Sequence, residues 1–144
     1  MANKKKIFLI HGHDSVAVFE LKDFISSLGL EPLVLFQLDD RGMHIIEKFE
    51  YYADQCDFAI ALLTPDDKQA KDLNSSEKWR ARQNVILEIG WFMRRLGRKG
   101  VALLHKGDVE LPSDLLGILY LSYNGSIYEV SERIRQRLQG QGLI

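Results

Sequence analysis

Glu88 is the residue of this chain best placed to do chemistry. It sits in Asn84-Val85-Ile86-Leu87-Glu88-Ile89-Gly90-Trp91-Phe92, an otherwise apolar stretch with helical spacing. Val85, Ile89, Phe92 and Leu96 repeat at i, i+4, i+7 and i+11 and mark a core face. Asn84, Glu88, Trp91 and Arg95 follow one another with the same spacing along the margin of that face. A carboxylate there is partly desolvated and flanked by an amide, an indole and a guanidinium. Two readings compete: an ion pair with Arg94 or Arg95 on a solvated helix margin, or a carboxylate held ready for a substrate. Glu88 is the only acid between Trp79 and Lys99, among Arg80, Arg82, Arg94, Arg95, Arg98 and Lys99, where charge decoration alone would intersperse acids. Gly90 costs a helix interior about 0.8–1 kcal/mol relative to Ala, which predicts close packing of a backbone or a ligand at that point.

A second cluster, His11-Gly12-His13-Asp14, follows the apolar run Ile7-Phe8-Leu9-Ile10. Its amides can form part of a phosphate cradle at the start of the next helix. It is neither a GxGxxG nor a Walker loop, and a strand-end turn with a helix cap explains it equally. Asp66 and Asp67, after Thr64-Pro65, read as turn and cap residues or as partners of ribose hydroxyls. His11 and His13, even taken with Cys56, have no ligand partner at a recognisable spacing, so no metal site is expected. Cys56 has no triad-like context and reads as a buried small hydrophobe.

Hydrophobic patterning supplies the elements that must position these residues. Strands are predicted at 7–10, 33–36, 58–63, 101–104 and, more weakly, 118–121. A first helix, capped by Asp14 or Ser15 and ended by Gly29, carries Val18, Leu21, Phe24, Ile25 and Leu28 inward. Ile45, Ile46, Phe49, Tyr52 and Ala53 mark a second helix. The helix bearing Glu88 ends near Gly97 or Gly100, and Ile127, Val130, Ile134 and Leu138 mark the last. Polar loops are expected at 37–42 and 66–79. Strands alternating with helices mean right-handed βαβ units and a parallel sheet covered on both faces. About five strands favour an α/β, flavodoxin-like fold with the order 2-1-3-4-5. The ligand site then lies at the carboxyl ends of the strands, at the switch point between the first and third, where the loops after Ile10 and Leu63 meet the helix bearing Glu88.

Composition narrows the function classes. The chain has 144 residues, 46% of them hydrophobic and 27% charged, which is enough apolar matter for one folded domain. Nineteen Lys and Arg against twenty Asp and Glu leave no basic surplus for a dedicated nucleic-acid binder. One cysteine excludes an internal disulfide framework and suits a reducing compartment. The basic start at Lys4-Lys5-Lys6 precedes only four apolar residues, too few for a signal peptide or a membrane span. A cytoplasmic protein without a membrane partner is expected. Residues 1–5 read as a disordered basic N-terminus, 6–139 as a single domain and 140–144 as a loose tail or the start of a linker.

Four blocks occur in order: Ile7-Phe8-Leu9-Ile10-His11-Gly12-His13-Asp14, Leu63-Thr64-Pro65-Asp66-Asp67, Arg80-Ala81-Arg82-Gln83-Asn84-Val85-Ile86-Leu87-Glu88-Ile89-Gly90 and Lys106-Gly107-Asp108-Val109-Glu110-Leu111-Pro112-Ser113-Asp114. From about residue 6 to 138 the chain resembles the bacterial TIR-like domains, a branch of the Toll/interleukin-1 receptor superfamily. Such domains occur in anti-phage systems, fused to cyclic-nucleotide sensors, including bacterial STING proteins and Pycsar effectors. The resemblance implies a TIR fold of the flavodoxin-like kind and an NAD+ hydrolase that depletes cellular NAD. Its catalytic glutamate matches Glu88, preceded four residues earlier by Asn84. Residues 37–44 match the loop that in the family gates the site and contacts a neighbouring protomer. His11, Gly12, His13, Asp14, Phe36, Thr64, Asp66, Arg82 and Trp91 complete the expected substrate contacts. Trp91 or Phe36 would stack on a base, their other reading being ordinary core. NAD+ enters as substrate and no cofactor is expected.

The chemistry agrees with that resemblance. Most glycosidases need two carboxylates because the leaving group must be protonated. Nicotinamide in NAD+ is already cationic and leaves neutral, so one carboxylate that stabilises an oxocarbenium-like transition state suffices. A nucleoside 2-deoxyribosyltransferase shares this sheet but needs an acid for its neutral base, and no convincing one is present. A non-enzymatic TIR module that only self-associates is the other alternative. A response-regulator receiver would need an acidic cluster after the first strand and an Asp ending the third. Residues 79–99 carry six basic residues and one acid, whereas residues 107–132 carry five acids and no Lys or Arg. These opposed surfaces permit head-to-tail stacking of protomers, or they neutralise each other within one molecule. The expected partners are therefore NAD+, further copies of the chain and a fused or associated cyclic-nucleotide sensor.

Overall fold

Five parallel strands form one sheet: β1 (Lys6–His11), β2 (Glu31–Val34), β3 (Phe58–Leu63), β4 (Val101–Lys106) and β5 (Leu119–Tyr123), in the order 2-1-3-4-5. Their α/β, flavodoxin-like arrangement is completed by α1 (Ser15–Ser27), α2 (Ile45–Ala53), α3 (Gln83–Leu96) and α4 (Ser131–Gly140). The structure, a computed structural model, describes residues 4–12, 15–63, 67–68, 79–80, 83–106 and 117–144. His13, Asp14, Thr64, Asp66, Arg82 and the acids Asp108, Glu110 and Asp114 lie outside the described residues.

The central stretches of β1, β3 and β4 are apolar because helices cover both faces. Ile7 and Leu9 of β1 join a core cluster with Val18, Leu21 and Ile25 of α1 and Ile134 and Leu138 of α4. The alternate residues Phe8 and Ile10 join the opposite cluster with Phe49 and Ala53 of α2 and Val85, Ile89 and Phe92 of α3. Leu9 pairs with Val34 of β2 and with Ile60 of β3, which fixes the register of the three strands around the switch point. Pro32 is tolerated because β2 is an edge strand, with no neighbour on its outer side to lose a hydrogen bond.

Five expectations are corrected. β2 stops at Val34, and Leu35–Gln37 turn into a 3₁₀ helix instead of extending the strand through Phe36. On α2, Ile45 and Ile46 are exposed, while Lys48, expected on no core face, is buried. At Gly90, no atom of another described element lies within 4 Å of where a Cβ would stand, so a packed backbone among the described residues does not account for this glycine. Asp67 caps no helix: Asp67–Lys68 pairs antiparallel with Trp79–Arg80 in a two-stranded ribbon. Nor are residues 140–143 loose. Leu143 N–H donates to Leu138 at 3.0 Å and Gly142 N–H to Gln139 at 3.0 Å, with Gly142 at φ +75°. This is a Schellman cap; glycine takes the left-handed conformation without Cβ strain, and Leu143 folds back onto the core.

Candidate active site

A cavity of about 430 Å³ opens at the carboxyl edge of the sheet. That volume suits a small-molecule site, for which about 300–1,000 Å³ is usual. Its walls come from three places along the chain. Phe8, Leu9 and His11 are the floor and end of β1; Leu35, Phe36, Asp40 and Met43 follow β2; Ile45 and Lys48 belong to the start of α2, and Asn84, Val85 and Glu88 to the first two turns of α3.

The strand lengths explain this opening. β2 ends opposite Leu9, so β1 projects two residues beyond it to His11. The 3₁₀ turn then swings Phe36 out of the sheet plane, where it is 64% exposed and meets the His11 ring edge-on at 5.2 Å. His11 Nδ1 lies 2.8 Å from the carbonyl oxygen of Gly12. A carbonyl only accepts, so this contact places the proton on Nδ1 and leaves Nε2 as the acceptor of the neutral ring. On α3, Asn84 and Glu88 are one turn apart and so share a face, which brings an amide and a carboxylate to the cavity together.

Of the residues singled out from the sequence, His11, Phe36, Asn84 and Glu88 line this one cavity. Gly12 follows His11 and supplies its carbonyl acceptor without lining the space itself. Trp91 follows the second of its two readings, as part of the packed core. It packs edge-on against Phe49 at 5.3 Å and Phe92 at 5.0 Å, in an aromatic cluster with Phe8, and is not among the lining residues. Further along the same margin Arg95 turns away from Glu88. It donates to Asp54 at 3.1 Å and to the carbonyl of Cys56 at 3.0 Å, stapling α3 to the turn before β3. Cys56 is buried and its thiol pKa is pushed up to about 12, chiefly by desolvation and then by the charge of Asp57, as expected for a packing residue.

Asp40, Met43 and Lys48 were not singled out from the sequence. Lys48 stands three residues after Ile45 and four before Tyr52, on the margin of the apolar stripe of α2. That position was the available signal. The loop carrying Asp40 is pinned to α2 beyond the cavity as well. Tyr52 OH donates to the carbonyl of Asp39 at 2.7 Å, and the Arg41 guanidinium lies 5.0 Å from the centre of the Tyr51 ring. Arg41 has φ +52° and Gly42 φ +73°, so the chain reverses here through two left-handed residues and Gly42 takes the second at no steric cost. Among the described residues no group of His, Cys, Asp and Glu could hold a metal ion, and no helix is long and apolar enough to cross a membrane.

The family model that matches this chain is described as the CAP12/Pycsar effector protein, TIR domain, and it covers residues 6–125. YuaY, an uncharacterized protein of Escherichia coli (strain K12), is 48% identical over 116 residues, or 81% of this chain and 39% of YuaY. The Pycsar effector protein PaPycTIR of Pseudomonas aeruginosa is 44% identical over 84 residues, or 57% of this chain and 27% of that protein. The chain thus spans well under half the length of either relative. Among solved structures, the signal receiver domain of a Luxo repressor protein from Vibrio parahaemolyticus superposes with a TM-score of 0.51, covering 98% of this chain and 95% of that one at 11% identity. That likeness is one of fold alone. The family match extends from the first residue of β1 through β5, across the whole sheet and the cavity at its edge, and the chain belongs to the CAP12/Pycsar effector TIR-domain family.

Proposed function

We propose that the cavity is the site of an NAD+ hydrolase, with Glu88 as the catalytic carboxylate, and that the domain is the effector of a bacterial anti-phage system acting by NAD+ depletion. The observation that carries this reading is the meeting of Glu88 and Asn84 with His11 and Phe36 in one cavity. In the reaction the bond from ribose C1′ to the pyridinium nitrogen breaks, both electrons go to that nitrogen, and nicotinamide leaves neutral. No general acid is required at that step. Positive charge develops on the ribose, where the Glu88 carboxylate stabilises it and holds the ribose hydroxyls. Water then adds to C1′ and releases its proton, giving ADP-ribose. Phe36 offers an exposed ring for a flat base to stack on, and Asn84 an amide for its carboxamide or the ribose. His13, Asp14, Thr64, Asp66 and Arg82 are further contacts on this reading.

The effector role is supported by the words of the family's description and of PaPycTIR's name. A fused or associated cyclic-nucleotide sensor would supply the trigger, and clustering of protomers the activation. The 37–44 loop contributes Asp40 and Met43 to the cavity wall, so a neighbour that touches this loop acts directly on the site. Stacking through the opposed charged segments draws less on Glu129, held by the backbone N–H groups of Gly125 and Ser126, and on Glu132, paired with Arg135 just beyond the 107–132 segment.

The test is nicotinamide release from NAD+ over a series of protein and salt concentrations, beside base release from deoxyribonucleosides. NAD+ should be cleaved, with specific activity rising with protein concentration and falling with salt. Cleavage of deoxyribonucleosides in its place would make the domain a transferase. A flat response in a protein that cleaves NAD+ would show the monomer to be competent, and no cleavage at any concentration would leave a self-association module.

A further inference from the structure

We propose that Lys48 is an anion-reading residue of the cavity, masked by Asp40 until a ligand diphosphate takes the carboxylate's place. Lys48 is 7% exposed and is the buried charged residue among those described. Its ammonium sits 2.6 Å from Oδ1 of Asp40, and both residues line the cavity. The pair is asymmetric. A buried ammonium cannot be left without an anion, because the protein does not replace the water it has lost. Asp40, by contrast, has a side chain 74% exposed and already largely hydrated, so it can turn to solvent at little cost.

The loop around Asp40 does not depend on this ion pair. Asp39 and Arg41 are tied to Tyr52 and Tyr51 of α2 on either side of it, and Met43 N–H donates to the Asp40 carbonyl at 2.9 Å. The carboxylate can therefore leave Lys48 while the backbone stays in place. A compact ammonium matches phosphate oxygens from many directions, without the fixed fork that Arg would impose. The ligand class is a nucleoside diphosphate or a dinucleotide joined by a diphosphate. Lys48 then sorts phosphorylated from unphosphorylated ligands, and Asp40 sets the threshold. This inference deepens the NAD+ reading of the cavity and rests on it for the choice of ligand.

Calorimetric binding of ADP and of adenosine to the full chain tests it in the wild type, Lys48→Met, Lys48→Arg and Asp40→Asn, with thermal melts of each to confirm folding. Met keeps the buried apolar stem. Lys48→Met should lower the preference for ADP over adenosine by about tenfold or more, Lys48→Arg should keep most of it, and Asp40→Asn should raise ADP affinity about threefold to tenfold. The opposite signs are the signature, since a purely structural pair would weaken ligand binding from either side. An equal loss in Lys48→Met and Asp40→Asn, an unchanged preference in Lys48→Met, or no ADP binding by the wild type would each overturn the proposal. NAD+ cleavage with an unchanged ADP preference in Lys48→Met sinks the anion site alone. A preference that follows Lys48 in a protein that leaves NAD+ intact supports the anion site and sinks the hydrolase reading.

Discussion

In the turn before α4 polar side chains are consumed within the fold, whereas beside α2 and α3 Asp40, Lys48, Asn84 and Glu88 gather around a cavity. Glu129 shows the first pattern. Its carboxylate accepts from the backbone N–H groups of Asn124 at 3.1 Å, Gly125 at 2.8 Å and Ser126 at 2.9 Å. Ser126 in turn donates to Glu20, and Tyr128 to Asp23, both at 2.6 Å, which ties the turn before α4 to α1. The backbone partners of Glu129 are near neighbours along the chain and form as the turn forms, whereas Glu20 and Asp23 are brought to it by the packing of α1. Glu88, Lys48 and His11 come from three elements that only the sheet topology brings together. The difference teaches how to sort polar groups by origin: those that meet backbone donors within a few residues are fixed by the local turn, and those delivered by separate elements to one cavity depend on the whole fold for their placement.

Core truncations on the two faces should have the largest effect and should break the symmetry between them. Phe92→Ala and Leu138→Ala remove fully buried side chains on opposite faces. Each should destabilise by about 2–5 kcal/mol in chemical denaturation. Phe92 touches Phe8, which lines the cavity, with ring centroids 5.1 Å apart. Only Phe92→Ala should therefore also weaken nucleotide binding under conditions where both variants are folded. Equal ligand affinity in the two variants would show that the cavity does not depend on the packing behind it.

A smaller effect is expected at Glu129. Its three backbone N–H donors, led by that of Asn124, favour the ionised form and hold its carboxyl below the ordinary glutamate range. A carboxyl lowered on folding adds stability above its unfolded pKa, and that stability is lost as pH falls through the lowered value. Glu129→Gln should accordingly lower Tm at neutral pH, with the gap to wild type closing in the acid range below 4.5. A gap of constant size from neutral to acid pH would mean that the charge is not what Glu129 contributes. Binding of nucleotides should be untouched, in contrast to any change at Glu88. The smallest effect is on Cys56. With its thiol raised to about 12 and buried, it should resist thiol reagents at pH values near 8 until the chain unfolds, as mass spectrometry of labelled protein would read.

Much of the framework was legible because both faces of the sheet are covered. β3, wholly buried, reads as an unbroken apolar run from Phe58 to Leu63 and was placed to the residue. β5 was the weak strand because it lies at the edge with one side open: the exposed Tyr120 and Ser122 alternate with the buried Leu121 and Tyr123, so its run is broken. Glu88 and Asn84 were legible because a lone acid on an apolar helix margin contradicts its surroundings. Lys48 was not, since a lysine beside an apolar stripe ordinarily snorkels to solvent, and only the position of Asp40 in the folded loop allows its burial. Trp91 was left between base stacking and core for a related reason. A helix margin has two outcomes, cavity or neighbouring helix, and the Phe49 ring of α2 decides for the second. Phe36 was read as strand because Leu33-Val34-Leu35-Phe36 is uniformly apolar, and the 3₁₀ turn that lifts it leaves no mark in that composition.

The measurement that tests the central claim most directly is nicotinamide release from NAD+ by wild type and Glu88→Gln at one protein concentration, with thermal melts of both. Glu88→Gln keeps the side-chain shape and removes its charge. The two proteins should melt alike, and turnover by the variant should fall at least about a hundredfold, equivalent to roughly 2.7 kcal/mol in the barrier. Cleavage by a folded Glu88→Gln at the wild-type rate would contradict the assignment of Glu88 as the carboxylate that does the chemistry.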